Sequence, residues 1–551
     1  MKKSRPIQEK IQEEQRLFTP ATPNTDAIPL IFAFPNTYSV GITSLGYQMV
    51  WATLAARSDL HVSRLFTDCQ EPLPSPPELV GFSLSWELDY GHVLNLLEGL
   101  QIPLSSGDRT PSHPLVFGGG PVLTANPEPF ADFFDFILLG DGEVLLHPFI
   151  DAYGELRRAD RPQQLRHLAQ VPGIYVPSLY QVTYLAADGA IDKIEPVDTT
   201  IPAQVDKQTY RGNTLSASTV VTSKAAWPNI YMVEVVRSCP EMCRFCLASY
   251  LTLPFRTASL SESLMPAIER GLQVTDRIGL LGASVTQHPE FETVLAYLGR
   301  PEYDQVRLSI ASVRTNTVTE QLAQTLARRG TQSLTIAIES GSESLRQVIN
   351  KKLQSPDIVA AAQRAKAGGL KGLKLYGMVG LPGETEADVA QTIALMEQLK
   401  RAAPGLRLTL GCSTFVPKAH TPFQWYGVNE IAPKRLKQLQ KYLRAQGIDF
   451  RPESYNWSVI QALISRGDRR LTPLLHQVRH YGESLGSYRR AFKTLRGQLP
   501  TLDFYVHHRW SLEQTLPWQH LQGPLPLATL QKHQAEAQGL ITQRVEQRAD
   551  S

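Results

Sequence analysis

The chain has 551 residues, of which 42% are hydrophobic and 19% charged, and a formal net charge of +3. At about 150 residues per domain that length predicts several domains, and the composition excludes an extensively disordered chain. The small net charge excludes a global polycation, so contact with nucleic acid would need a local basic surface.

The first residues, MKKSRPIQEKIQEEQRLF, are charged and lack the apolar core of a signal peptide. No apolar run is long enough to span a membrane, which predicts a cytoplasmic protein with no membrane span. Of five cysteines, three lie together, a usage that argues against a disulfide framework and for a reducing compartment. Cys69 and Cys412 stand apart and read as inert buried thiols.

Residues 1–150 alternate strand-like runs (IPLIFAFPN, ELVGFSLSW, HPLVFGGGP, FFDFILLGDGE) with amphipathic stretches. This α/β pattern predicts a doubly wound parallel sheet. Small and polar residues gather where these strands end: Asn36, Tyr38, Ser83, Ser85, Gly118 to Gly120, Gly140 and Gly142. Ligands of such sheets bind outside those ends, although glycine is also a cheap way to turn a strand into a loop. Residues 151–227 read as a connecting region with small strand-like pieces such as GIYVPSLYQVTYL.

From residue 228 to 450 the alternation becomes regular: IYMVEVV, RIGLLG, VRLSIAS, SLTIAIES, LKLYGMVGLP and LRLTLGCSTFVP are separated by helical segments. Six such repeats predict a partial (β/α)6 barrel, whose chemistry would collect at the carboxyl ends of its strands. Just after the first strand comes VRSCPEMCRFCLASY, with Cys239, Cys243 and Cys246 in the spacing CxxxCxxC. Thiolates favour iron-sulfur clusters and zinc, and zinc sites usually add a fourth ligand nearby. The next histidine downstream is His288. A cubane held by three thiolates keeps one iron free for an amine and a carboxylate. Residues 451–551 are mainly helical in pattern and hold 13 Lys and Arg against 8 Asp and Glu. That surplus fits either a solvated helical face or contact with RNA.

The cysteine spacing, with Phe245 before the third cysteine, resembles the signature of the radical S-adenosylmethionine (SAM) superfamily. The resemblance implies a 4Fe-4S cluster on Cys239, Cys243 and Cys246, with SAM chelated at the open iron. An electron from an external flavodoxin- or ferredoxin-type donor would then cleave SAM to methionine and a 5'-deoxyadenosyl radical that takes hydrogen from a substrate. Gly282 and Ala283 stand where the family usually has Gly-Gly-Glu, and the glutamate is absent here. Ser309, Ser312 and Arg314 fall where relatives place polar groups near the SAM carboxylate or ribose. Glu339, Ser340 and Gly341 match the ExGSE pattern. Gly380, Pro382, Gly383 and Glu384 match GLPGET, which implies part of the adenine wall. Lys418, His420, Phe423 and Trp425, in STFVPKAHTPFQWYG, resemble substrate-side segments.

The segments FPNTYSVGITSLGYQMVW, VGFSLSWELDY and VFGGGPVLTANPEPFADFFDFILLGDGEVLL resemble the cobalamin-binding-type domain that precedes many radical SAM domains. The DxHxxG motif that supplies a cobalt-ligating histidine is absent. Asp59 and His61 form a DxH with no glycine after it. Cobalamin would be held without histidine, or the pocket is vestigial or serves another ligand. The implied function is a radical SAM enzyme acting on an unidentified substrate, with an RNA or ribosomal component among the candidates. Its rivals are a cobalamin-dependent methyltransferase or cyclase acting on a small molecule such as a tetrapyrrole, and a non-enzymatic iron-sulfur, SAM-binding regulator. A methylthiotransferase would need a second cluster on three N-terminal cysteines, and that region offers only Cys69.

Overall fold

The computed structural model describes residues 9–549, so the first eight residues of the charged N-terminal stretch lie outside it. Ile28–Ala33 and Leu79–Ser83 are buried on both faces, which is why each reads as an unbroken apolar run rather than an alternating one. Together they form the centre of a six-stranded sheet, ordered Leu60–Leu65, Ile28–Ala33, Leu79–Ser83, Leu115–Gly119, Phe136–Leu138 and Ile174–Tyr175. Every pairing is parallel except the last. The chain leaves Ile28–Ala33 first toward one edge and then toward the other, so the switch point, where ligands of such sheets bind, lies between Ala33 and Ser83.

The edge strand Leu60–Leu65 is absent from the sequence reading. Its pattern is broken by Ser63 and Arg64, and both are buried all the same. Arg64 is accommodated by Glu14 at 2.8 Å and Glu71 at 2.8 Å, and it lies 3.9 Å over the Trp51 ring. Helix Leu45–Ala55 is capped by Ser44, whose side chain accepts from the Tyr47 amide. It lays Tyr47 flat against Phe32, with ring centroids 4.8 Å apart.

The second unit is a parallel barrel in two arcs. Tyr231–Glu234, Arg277–Leu281 and Arg307–Ile310 form one, and Ser333–Glu339, Gly372–Val379, Arg407–Thr414 and Asp449–Pro452 the other. The arcs meet through a single bridge, Val313 to Ile336. The six strands read from the sequence are all present, and Asp449–Pro452 adds a short seventh at the edge.

Beyond residue 452 the chain is mainly helical and folds back over both units. Leu463, Leu474, Val478, Tyr505 and Trp518 share one continuous apolar core with the N-terminal sheet. Asn126 donates to the Ser465 and Gly467 carbonyls at 3.1 and 2.8 Å, tying the loop after the fourth sheet strand to helix Tyr455–Arg466. The last helix, Leu527–Ala549, lies against the barrel, with Arg544 paired to Asp388 at 2.6 Å. Among the described residues, no helix is long and apolar enough to cross a membrane.

Candidate active site

The cysteine loop is closed at its base by a short antiparallel ladder, Val236–Arg237 against Arg256–Thr257. Ser238 and Met242 adopt φ of 72° and 56°, left-handed conformations that bend the loop tightly around the cysteines. The loop is tied to the segment that follows the fourth barrel strand. The Arg244 amide donates to the Ile349 carbonyl at 3.0 Å, and Asn350 Nδ2 donates to the Met242 carbonyl at 2.8 Å. Glu241, between the first two cysteines, pairs with Arg314 at 2.9 Å and accepts from Gln287 at 2.6 Å. The second and third barrel strands are thereby held to the loop as well.

Cys239, Cys243 and Cys246 line one cavity of about 180 Å³ together with Ala283, Ser312, Arg314, Glu339 and Lys351. Burial pushes the Cys243 thiol up to about 12, against the pull of Lys351, and burial likewise raises Cys246. Lys351 is opposed by the same burial, yet Glu339 and the nearby Cys243 keep its ammonium form favoured. Its Nζ lies 3.0 Å from Glu339 Oε1. Glu339 itself takes φ of 63°, rare for a non-glycine residue, at a register shift in its strand.

The donor set fits an iron-sulfur cluster: three soft sulfur ligands on one enclosed wall, which lose their protons outright when iron binds. Among the described residues, no three His, Cys, Asp or Glu side chains converge as ligands of a single ion. A cubane instead takes its thiolates at three separate irons.

A second cavity, of about 500 Å³, adjoins the first and shares Ala248 and Ala283 with it. One wall is the carboxyl end of the N-terminal sheet, with Ser83, Ser85, Gly119, Gly120, Gly140 and Gly142; the other is the mouth of the barrel, with Glu234, Arg237, Leu281 and Gly282. Gly120 and Gly140 have φ of 107° and 128°, and a Cβ at Gly140 would lie 2.0 Å from the Gln208 carbonyl oxygen. The charges on this wall are engaged with one another. Arg237 meets Glu143 and Glu234, each at 2.7 Å, and Asp141 is held by Arg256 at 2.6 Å. No histidine lines the cavity, and His61 is exposed on the edge strand.

Other residues singled out in the sequence fall elsewhere. Ser340 is buried and its hydroxyl accepts from the Ser342 amide. Gly341 packs against helix Glu386–Ala402, where a Cβ would lie 2.3 Å from Thr392 Cα. Gly380 and Pro382 line neither cavity; the Gly380 amide donates to Glu384, which Arg435 holds at 2.7 Å. Lys418 is paired with Glu87 and donates to Ser465, while His420, Phe423 and Trp425 are buried. Lys351 and Glu241 were missed. Lys351 lies 12 positions past Glu339 in the irregular segment after helix Glu343–Val348, and Glu241 is an unremarked letter inside the cysteine motif.

Residues 233–396 match the radical SAM superfamily model, and residues 50–177 match the model of the N-terminal region of radical SAM proteins. The chain belongs to the radical SAM superfamily. It is an enzyme of that superfamily, whose cofactors are a 4Fe-4S cluster and SAM. An uncharacterized protein of Methanocaldococcus jannaschii is 27% identical over 447 residues, covering 80% of this chain and 89% of that one. A tRNA-2-methylthio-N(6)-dimethylallyladenosine synthase of a Wolbachia species is 24% identical over 230 residues. That match covers 40% of this radical SAM chain and about half (51%) of the synthase. Among solved structures, the radical SAM methyltransferase TsrM of Kitasatospora setae, with tryptophan and a SAM analog bound, aligns at a TM-score of 0.48. Its identity is 12%, over 95% of this chain and 99% of that one. The cobalamin-dependent SAM radical enzyme OxsB aligns at 0.45 with 11% identity, over 95% of this chain and 80% of that one.

Proposed function

We propose that this protein cleaves SAM reductively in the smaller cavity and directs the resulting radical at a compact substrate in the larger one. The observation that carries this reading is the meeting of the two cavities at Ala248 and Ala283, with the three cysteines lining the smaller. The cluster, when bound, supplies one electron and an open iron for the SAM amine and carboxylate. The chain's own residues do the rest. Cys239, Cys243 and Cys246 would ligate three irons. Lys351 places a cation for the methionine carboxylate, Arg314 braces Glu241 of the cysteine loop beside it, and Glu339 holds the Lys351 ammonium and accepts from ribose hydroxyls or the amine. Ala283 and Ser312 border the smaller cavity after the second and third strands, and Gly282 borders the larger one. An external flavodoxin- or ferredoxin-type protein delivers the electron.

The larger cavity favours a compact, largely apolar substrate over nucleic acid, because its lining arginine is already taken by Glu143 and Glu234 and offers a phosphate little. A second reading has a specific observation in its favour: this cavity sits where an open sheet binds its ligand, against the mouth of the barrel. A corrinoid held there without histidine would make the protein a cobalamin-dependent methyltransferase or cyclase. The test is mass-spectrometric detection of 5'-deoxyadenosine after SAM and a strong reductant are added to the anaerobically reconstituted protein, with Cys243→Ala as control. Deoxyadenosine from the intact protein alone supports the first reading. Hydroxocobalamin retained through gel filtration and, once reduced to cob(I)alamin by the same reductant, methylated by SAM, moves the assignment to the second.

A further inference from the structure

Away from both cavities, helix Leu485–Thr494 borders a groove of about 710 Å³ that it shares with helix Tyr455–Arg466 and the segment around residues 495–502. The groove is floored by the aliphatic side chains Val459, Ile460, Leu495, Leu499 and Leu502, with the rings of Tyr488 and Phe492 beside them. Along its rim run Arg489 and Lys493, one turn apart, and Arg496 just beyond the helix end, all exposed. None of the three side chains has a hydrogen-bond or ion-pair partner among the described residues, and Asp188 is the acidic residue lining the groove. Cations one turn apart on a helix repel each other, and no ion pair among the described residues relieves these, Asp188 included.

We propose that this groove docks an amphipathic, acidic helical segment of a partner protein. Carboxylates at i and i+4 on such a segment would meet cations set at the same interval, while its aliphatic face fills the aliphatic floor. The helix is about 15 Å long, enough to face three turns of a partner helix. Single-stranded nucleic acid is the weaker fit, since bases stack on exposed aromatic faces and, of the groove's two rings, Tyr488 is buried and Phe492 half-buried. The chain's own N-terminal segment carries Lys2, Lys3 and Arg5, the wrong sign for the rim.

The test is fluorescence anisotropy on the full-length protein with three labelled probes. One is a synthetic helical peptide of about 14 residues with leucine on one face and glutamate on the other. The second replaces glutamate with lysine, and the third is an oligouridylate. The glutamate peptide is expected to bind at least about tenfold tighter than the lysine peptide, with affinity falling as salt rises. The paired substitutions Arg489→Glu and Lys493→Glu are expected to remove that preference, and Arg489→Ala with Lys493→Ala to weaken it, with the thermal midpoint and deoxyadenosine yield unchanged. Equal binding of the two peptides, or undiminished binding to both variants, overturns the proposal. So does tighter binding of oligouridylate that the variants abolish, which would make the groove a nucleic-acid surface.

Discussion

Cys243 is the most enclosed of the three clustered thiols, and no other sulfur stands ready to replace it at the loop. Cys243→Ala is therefore expected to abolish the reducible 4Fe-4S signal in electron paramagnetic resonance, since two thiolates seldom hold a cubane. Glu339→Gln removes the charge that holds Lys351 in place while leaving all three cysteines intact. SAM affinity, measured by equilibrium dialysis on the reconstituted protein, is expected to fall roughly tenfold or more with the cluster spectrum preserved. Two buried histidines set a separate, acid-side limit. Burial lowers His420 and His520 from the usual 6.5 to about 4 each. In the unfolded chain both take up a proton near pH 6.5, whereas in the folded chain they stay neutral until about pH 4. Stability is thus fully present above 6.5 and is lost as the pH falls toward 4, by about 3 kcal/mol per histidine at most. The thermal midpoint is expected to drop across that window, and replacing both histidines with glutamine to flatten the drop.

At the scale of elements, the regular alternation of apolar runs and helices made both sheets legible, because strands buried on both faces announce themselves without help from distant residues. The strand Leu60–Leu65 was not legible for the opposite reason: Arg64 is acceptable inside only because Glu14, 50 positions earlier, is brought to it by the fold. The cysteine loop was legible from spacing alone. Its supports, Glu241 and Lys351, were not, since their roles depend on partners at Arg314, Gln287 and Glu339 that only the closed barrel assembles. Gly341 illustrates a motif letter whose structural burden is packing. Gly341→Ala forces a Cβ toward the backbone of Thr392 in the neighbouring helix, and is expected to lower stability by about 1–3 kcal/mol. Chemical denaturation of the variant beside the parent protein measures this directly.

For the whole molecule, the helical region after residue 452 completes the core of the N-terminal sheet instead of hanging from the barrel as a tail. Deleting residues 451–551 would uncover Leu94, Leu97, Phe130 and Tyr175, all of which belong to the core it shares. The truncated chain is expected to aggregate or to bind a hydrophobic dye strongly, where the full chain does not. Any assay of that region's contacts therefore has to use surface substitutions in the intact protein.

The barrel's two arcs share one β-bridge, where the Val313 amide donates to the Thr335 carbonyl. Ser312 and Arg314 stand on one side of that seam, Ala337 and Glu339 on the other, and all four border the smaller cavity. The cavity therefore straddles the place where the barrel's ladder thins to one rung, and what joins the arcs there is their shared core and the bond from Arg314 to the Lys352 carbonyl rather than a continuous ladder.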